Sequence, residues 1–158
     1  MGFEIRKAKI SDLGAAQRLD QEAFGVDAWS ILDFAGLFSF SSARKFTAEV
    51  DGNFAGFAAS EYDSDKQAVC LMTVAVRPEF RGRGIGTALI LACEEAFPGK
   101  DCYLTVDCEN ESAIRLYEQL GYQKTNVLSA YYFNGHDAWE MEKSGAGDLG
   151  LGAGSVEC

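Results

Sequence analysis

Positive charge is what this sequence most clearly lacks: 14 Lys and Arg stand against 24 Asp and Glu, a net charge of −10 over 158 residues. Binding a nucleic-acid backbone needs a basic face, so no nucleic-acid partner is expected. The acidic balance suits a cationic substrate such as an amine, and it serves solubility equally well. Long apolar runs are also missing. No stretch approaches the roughly 18–20 apolar residues that cross a bilayer, and Met1-Gly2-Phe3-Glu4-Ile5-Arg6 alternates and carries charge early, unlike a signal peptide. A cytoplasmic chain with no membrane partner is the expectation. His136 is the single histidine, and the five cysteines (70, 93, 102, 108 and 158) are odd in number with no CxxC spacing, so neither a metal site nor a disulfide is expected. Cys70, Cys93 and Cys102 lie in apolar runs and read as buried, reduced thiols. Internal repeats are absent.

What is present reads as one mixed domain, since 158 residues with 47% apolar content support a single core. Phe3 and Ile5 alternate as a first strand. Ser11-Asp12 offers an N-cap and a first-turn acid for a helix to about Phe24, with Leu13, Ala16, Leu19 and Ala23 at helical spacing. Residues 25–42 hold Trp29, Ile31, Leu32, Phe34, Leu37, Phe38 and Phe40, a short helix with a loop. Lys45–Val50, the turn pair Asp51-Gly52 and Asn53–Ser60 form a hairpin signal, and Tyr62–Gln67 reads as a further turn. Val69–Val76 is near-continuously apolar and predicts a strand buried on both faces, stopped at Arg77-Pro78. Gly84–Phe97 turns helical, with Ile85, Leu89, Ala92, Cys93 and Ala96 on one side. Cys102–Asp107 predicts a strand, Asn110 caps a helix that Gly121 ends, and Tyr122–Thr125 and Ala138–Glu142 predict late strands around a loop holding Tyr131-Tyr132-Phe133. From Ser144 glycine crowds the sequence, a pattern expected of a flexible tail over 144–158.

The informative unit is a strand, then Arg77–Arg83, then Gly84-Ile85-Gly86 opening a helix. A helix start presents unpaired N–H groups and partial positive charge, which suits a diphosphate if the backbone can come close. Gly82, Gly84 and Gly86 remove the β-carbons that would hold it off, and Arg77, Arg81 and Arg83 add charge. The spacing fits neither G-x-G-x-x-G nor the P-loop pattern; what stands is R-x-x-G-x-G on Arg81, Gly84 and Gly86.

Val74–Gly86 and the later segment Asn110–Tyr122 resemble the two signature segments of the GNAT acetyltransferase superfamily, and the resemblance covers roughly residues 3 to 143. It implies an α+β fold: a mixed, mostly antiparallel sheet of about seven strands, with about four helices packed on both faces. Within the superfamily the chain looks most like the RimI-like protein N-terminal acetyltransferases. The residues that carry this are Phe24 with Trp29-Ser30, the Asn110–Tyr122 segment, and Tyr131-Tyr132.

The resemblance implies acetyl-CoA as co-substrate and direct transfer of acetyl to an amine. Family members splay the fourth strand from the fifth. Thr73, Val74, Ala75 and Val76 would then bind the pantetheine arm through their backbone, with Arg81, Gly82, Arg83, Gly84, Ile85, Gly86 and Thr87 at the diphosphate and Asn110 on the arm. Tyr117 matches the family's general acid, a phenol with a pKa of about 10 that keeps its proton at neutral pH; its place beside Ala113 and Leu120 would equally suit core packing. At the position where relatives often carry a Glu or His base stands Thr105, which cannot serve. Asp107 on the same strand face and Glu61 near the third strand's end are the candidates for the base, directly or through water. Phe24, Trp29, Tyr131 and Tyr132 would line the acceptor channel. A protein or peptide N-terminus is the expected acceptor, with a polyamine-like small amine or a lysine side chain as the alternative. A non-catalytic acyl-CoA-binding module is the reading from another class, favoured by Thr105 and disfavoured by Tyr117. A monomer or homodimer is expected.

Overall fold

The computed structural model describes residues 2–39 and 42–145. Phe40 and most of the glycine-rich segment, with Cys158, lie outside them. Among the described residues seven strands and four α-helices follow in the order β1 (Glu4–Lys7), α1 (Leu13–Phe24), α2 (Ile31–Ser39), β2 (Arg44–Val50), β3 (Asn53–Asp63), β4 (Ala68–Val76), α3 (Ile85–Glu95), β5 (Cys102–Asp107), α4 (Glu111–Gln119), β6 (Gln123–Leu128) and β7 (Ala138–Lys143). The strands form one sheet in the order β1-β2-β3-β4-β5-β7-β6. β1–β2, β2–β3, β5–β7 and β7–β6 pair antiparallel, and β4–β5 pair in parallel through Val69↔Cys102 and Cys70↔Tyr103. The mostly antiparallel α+β architecture expected from the sequence is the one found. Residues 2–39, 42–61 and 71–96 make one compact unit, and residues 62–70 and 97–145 the other.

In the first unit the hairpin forms around Asp51-Gly52, both at positive φ (52° and 80°), the geometry that tight antiparallel turns require. Its register shifts between Ala48 and Glu49. Phe34, Leu37, Phe57 and Ala59 are buried together with Ala16 and Ala43, and Trp29, Phe38 and Met72 pack against them. Helix α1 ends at Phe24 as expected but departs from the expected pattern in its cap and its buried face. Ser11-Asp12 provides no side-chain cap for α1. Instead both oxygens of Asp12 accept from Arg6 (2.8 and 3.0 Å), and one also takes the Lys9 amide at 2.7 Å, closing a 3-10 turn over Ile10–Asp12. The buried face of α1 is Ala16, Leu19 and Asp20, not Ala23, so a carboxylate occupies a core position. Helix α3 buries Ile85, Leu89, Ile90 and Cys93, a face turned toward Ile90 and away from Ala92 and Ala96.

Strand β4 is not buried on both faces as its apolar run implied. Ala68, Val69, Leu71 and Thr73 are buried, while Cys70, Met72, Val74, Ala75 and Val76 are half-buried. β3 runs on to Asp63, so the following turn is shorter than expected. In the second unit β5 alternates cleanly, with Cys102, Leu104 and Val106 buried and Tyr103, Thr105 and Asp107 on the other face. Asn110 caps α4 by accepting from the Ala113 amide at 3.3 Å, and Gly121 follows the helix at φ 103°. Cys70, Cys93, Cys102 and Cys108 are thiols, not disulfides.

Candidate active site

In the first unit β4 ends at Val76 and a 3-10 turn at Pro78–Phe80 leads into the glycine loop. Gly82 (φ 79°) and Gly84 (φ 86°) both take the left-handed conformation, and Gly84 is the N-cap of α3. A β-carbon built at either would meet nothing within 4 Å. Two things therefore select glycine here: the backbone angle, and an open approach to the chain. The first helical hydrogen bond of α3 is Ala88 N–H to the Gly84 carbonyl at 3.0 Å, and no side chain caps the helix. The Ile85, Gly86 and Thr87 amides sit in the turn that helix geometry leaves without intrahelical acceptors. Ile85 buries its side chain, so it contributes to such a site by its backbone alone. These exposed glycines and amides fit a coenzyme diphosphate.

The arginines divide their work. Arg81 turns its Nε back onto the Val76 carbonyl (3.0 Å), bracing the loop against the strand it leaves. Arg83 is exposed, its guanidinium 5.4 Å from the Phe80 ring centre. Arg77 does not add to the positive cluster that its sequence position suggested: it pairs with Glu79 at 2.8 Å and donates to the Phe54 carbonyl. On β4, Thr73 is buried and donates its hydroxyl to Asp20 at 2.9 Å. Phe24 is exposed at the end of α1, and Trp29 is half-buried against Phe34, with ring centres 5.7 Å apart. Glu61 accepts from the Ser42 hydroxyl at 3.0 Å. Arg77 N–H bonds to Ala55 O, so Glu61, six residues on, lies roughly 20 Å along β3 from the loop end.

In the second unit Tyr117 is half-buried on α4 and meets Tyr122 edge-on, with ring centres 5.8 Å apart. Asp107 shares the face of Thr105, as the strand period requires. Its oxygens are engaged: the Glu109 amide donates at 2.9 Å, Asn134 at 3.3 Å, and His136 Nδ1 lies 2.8 and 3.0 Å from the two oxygens. Burial pushes the Asp107 carboxyl up, but these hydrogen bonds outweigh it and hold the group below the usual carboxylate range. A carboxylate so satisfied is a poor proton acceptor and a good partner for an imidazole. His136 is the functional candidate that sequence reasoning missed. The signal lay in register: Asp107 pairs with Ala138, two residues after His136, but only if β7 pairs with β5 ahead of β6. Tyr131 and Tyr132 stack edge-to-face at 4.9 Å in the same loop, Tyr131 exposed and Tyr132 half-buried. Among the described residues no group of three or more His, Cys, Asp or Glu could hold a metal ion, and no helix is long and apolar enough to cross a membrane.

The Acetyltransferase (GNAT) family matches residues 13–122, a span holding both the glycine loop and Tyr117. The chain belongs to the GNAT acetyltransferase family. It is an acetyl-CoA-dependent N-acetyltransferase. It is 30% identical over 153 residues to an N-alpha-acetyltransferase of Sulfurisphaera tokodaii, covering 88% of this chain and 91% of that one. An uncharacterised N-acetyltransferase of Methanocaldococcus jannaschii is 34% identical over 143 residues, 88% of this chain and 90% of its own. Among solved structures, the ribosomal-protein-S18-alanine N-acetyltransferase of Escherichia coli superposes with a TM-score of 0.77 at 28% identity, covering 90% of this chain and 94% of its own.

Proposed function

We propose that this acetyltransferase acts on the N-terminal α-amine of a protein or peptide, with residues 1–143 as the catalytic domain. The likeness over 88% of the chain to an N-alpha-acetyltransferase carries this reading, and the aromatic residues of the two loops suit it. Phe24 and Trp29, like the Tyr131–Tyr132 pair, carry flat apolar rings of the kind that receive the first side chains of an extended peptide, the role the family resemblance gives them.

Acetyl-CoA supplies an activated acetyl group as a thioester, its diphosphate taken by the amides at the start of α3 with Arg81, Gly82, Arg83 and Gly84, and its arm by the backbone of Thr73–Val76 and by Asn110. The short β4–β5 ladder, two residue pairs long, supports that use of the β4 backbone. As the amine nitrogen bonds to the acetyl carbon and the carbon–sulfur bond breaks, one proton must leave the nitrogen and one must reach the sulfur. Tyr117 donates to the sulfur through its phenol. His136 accepts from the nitrogen, held in one orientation by Asp107 at Nδ1. Asp107 therefore acts as orienting partner and not as the base itself. Glu61, with Ser42 on its carboxylate, is the weaker candidate.

Thioester cleavage followed with unblocked peptides, α-blocked peptides and polyamines tests this. Turnover confined to unblocked peptides is the expected result. Acetyl-CoA binding without turnover on any panel would favour a binding module, and turnover on polyamines alone a small-molecule enzyme. Tyr117→Phe should cut kcat by roughly 10²-fold or more while leaving acetyl-CoA binding in place.

A further inference from the structure

Asp20 is an acid in the wrong place for an ordinary helix. It lies on the inner face of α1 with 2% of its surface exposed, among alanine and leucine. Burying a carboxylate is costly unless something there needs it. Among the described residues no cation pairs with it. One oxygen accepts the Trp29 backbone N–H at 2.8 Å, and the other accepts the Thr73 hydroxyl at 2.9 Å. Burial pushes its carboxyl up despite both bonds. All three residues belong to the same unit.

The two donors come from segments with different duties. Trp29 closes the stretch between α1 and α2, just after the 3-10 turn at Gly25–Asp27, and its ring packs on Phe34. Thr73 lies on β4, the strand whose backbone is assigned to the acetyl-bearing arm. We propose that Asp20 is a positioning residue that ties the Trp29 loop to β4, fixing where an acceptor amine is presented relative to the acetyl group. This rests on the functional reading above, in which that loop receives the acceptor. Two polar contacts, to the Trp29 amide and the Thr73 hydroxyl, converge on one buried point, which explains a forked polar side chain where helical periodicity calls for an apolar residue. Asparagine can meet the same demand: its Oδ1 accepts from Trp29, and its amide donates to the Thr73 hydroxyl, which accepts as readily as it donates.

Asp20→Ala, Asp20→Asn and Thr73→Val, made in the full chain, test the tie by amide hydrogen exchange at Trp29 and by steady-state kinetics with an unblocked peptide. In Asp20→Ala the Trp29 amide should exchange much faster and the peptide KM rise about tenfold, with the acetyl-CoA KM within about twofold of the parent. Thr73→Val should move the peptide KM the same way, and Asp20→Asn should restore both readouts. Slow exchange at Trp29 in Asp20→Ala, or fast exchange with an unchanged peptide KM, overturns the proposal. If the parent acetylates no peptide, the acceptor reading falls while the tie is still decided by the amide: fast exchange in the alanine variant with slow exchange in the asparagine variant upholds it, and no difference overturns it.

Discussion

Two left-handed glycines in the loop before α3, Gly82 and Gly84, occupy open space, so their replacement tests backbone geometry with little packing change. Gly84→Ala forces a β-carbon onto a φ of 86°, costing about 1–2 kcal/mol where the angle is kept. Calorimetric titration with CoA should show roughly tenfold weaker binding, at a folded stability lowered by no more than that strain. Asp12 supplies the clearest pH signature. Burial pushes its carboxyl up, but Arg6, the Lys9 amide and Thr47 overcome this and hold it below the usual range. A carboxyl depressed on folding stabilises the fold above its unfolded pKa, and that contribution fades as pH falls through the folded value. Asp12→Asn should therefore lower stability at pH 7 by about 1–3 kcal/mol, and thermal melts of parent and variant should converge in acid. The turn at Gly82 and Gly84 and the helix start beside it were legible because turn chemistry is local. Asp12 and Asp20 were not: a helix-start acid and a mid-helix acid look like solvent-facing groups until Arg6, Trp29 and Thr73 are brought up to them.

At the level of elements, β3 and α3 are held close by a missing side chain. A β-carbon on Gly56 would sit 2.9 Å from the Ala75 carbonyl oxygen and 3.2 Å from Leu89 Cδ1. Gly56→Ala must therefore push on both β4 and α3, the strand and helix to which the proposed function assigns the acetyl arm and the diphosphate. Overpacking of this kind costs about 1–3 kcal/mol. Chemical denaturation should show the loss, and CoA affinity should fall with it. Most elements were visible in the sequence because period and punctuation agreed: Asp51-Gly52 marks the hairpin, Asn110 and Gly121 bound α4, and Gly84 starts α3. Burial was less legible. The apolar run of β4 suggested a strand covered on both sides, yet its last three residues are half-buried, because apolar composition does not say which backbone and side-chain groups a strand leaves to a ligand.

For the whole molecule, strand order was the hidden variable. β7 lies between β5 and β6, and that order brings His136 to Asp107. Sequence separation gives no hint of the pairing, so the sequence alone leads only to Asp107 and Glu61 as candidates for the base. His136→Asn should lower kcat with peptide, with acetyl-CoA binding retained; an unchanged kcat would remove the imidazole from the mechanism. The net charge of −10 accords with a cationic acceptor but does not choose among amines. That choice is open to one direct measurement. A peptide carrying both a free α-amine and an internal lysine is incubated with the chain and acetyl-CoA, and the acetylated position is read by fragment mass spectrometry. The account predicts acetyl on the α-amine alone, and none on the same peptide with that amine blocked. Acetyl on the lysine side chain, or an intact thioester after prolonged incubation, would contradict it.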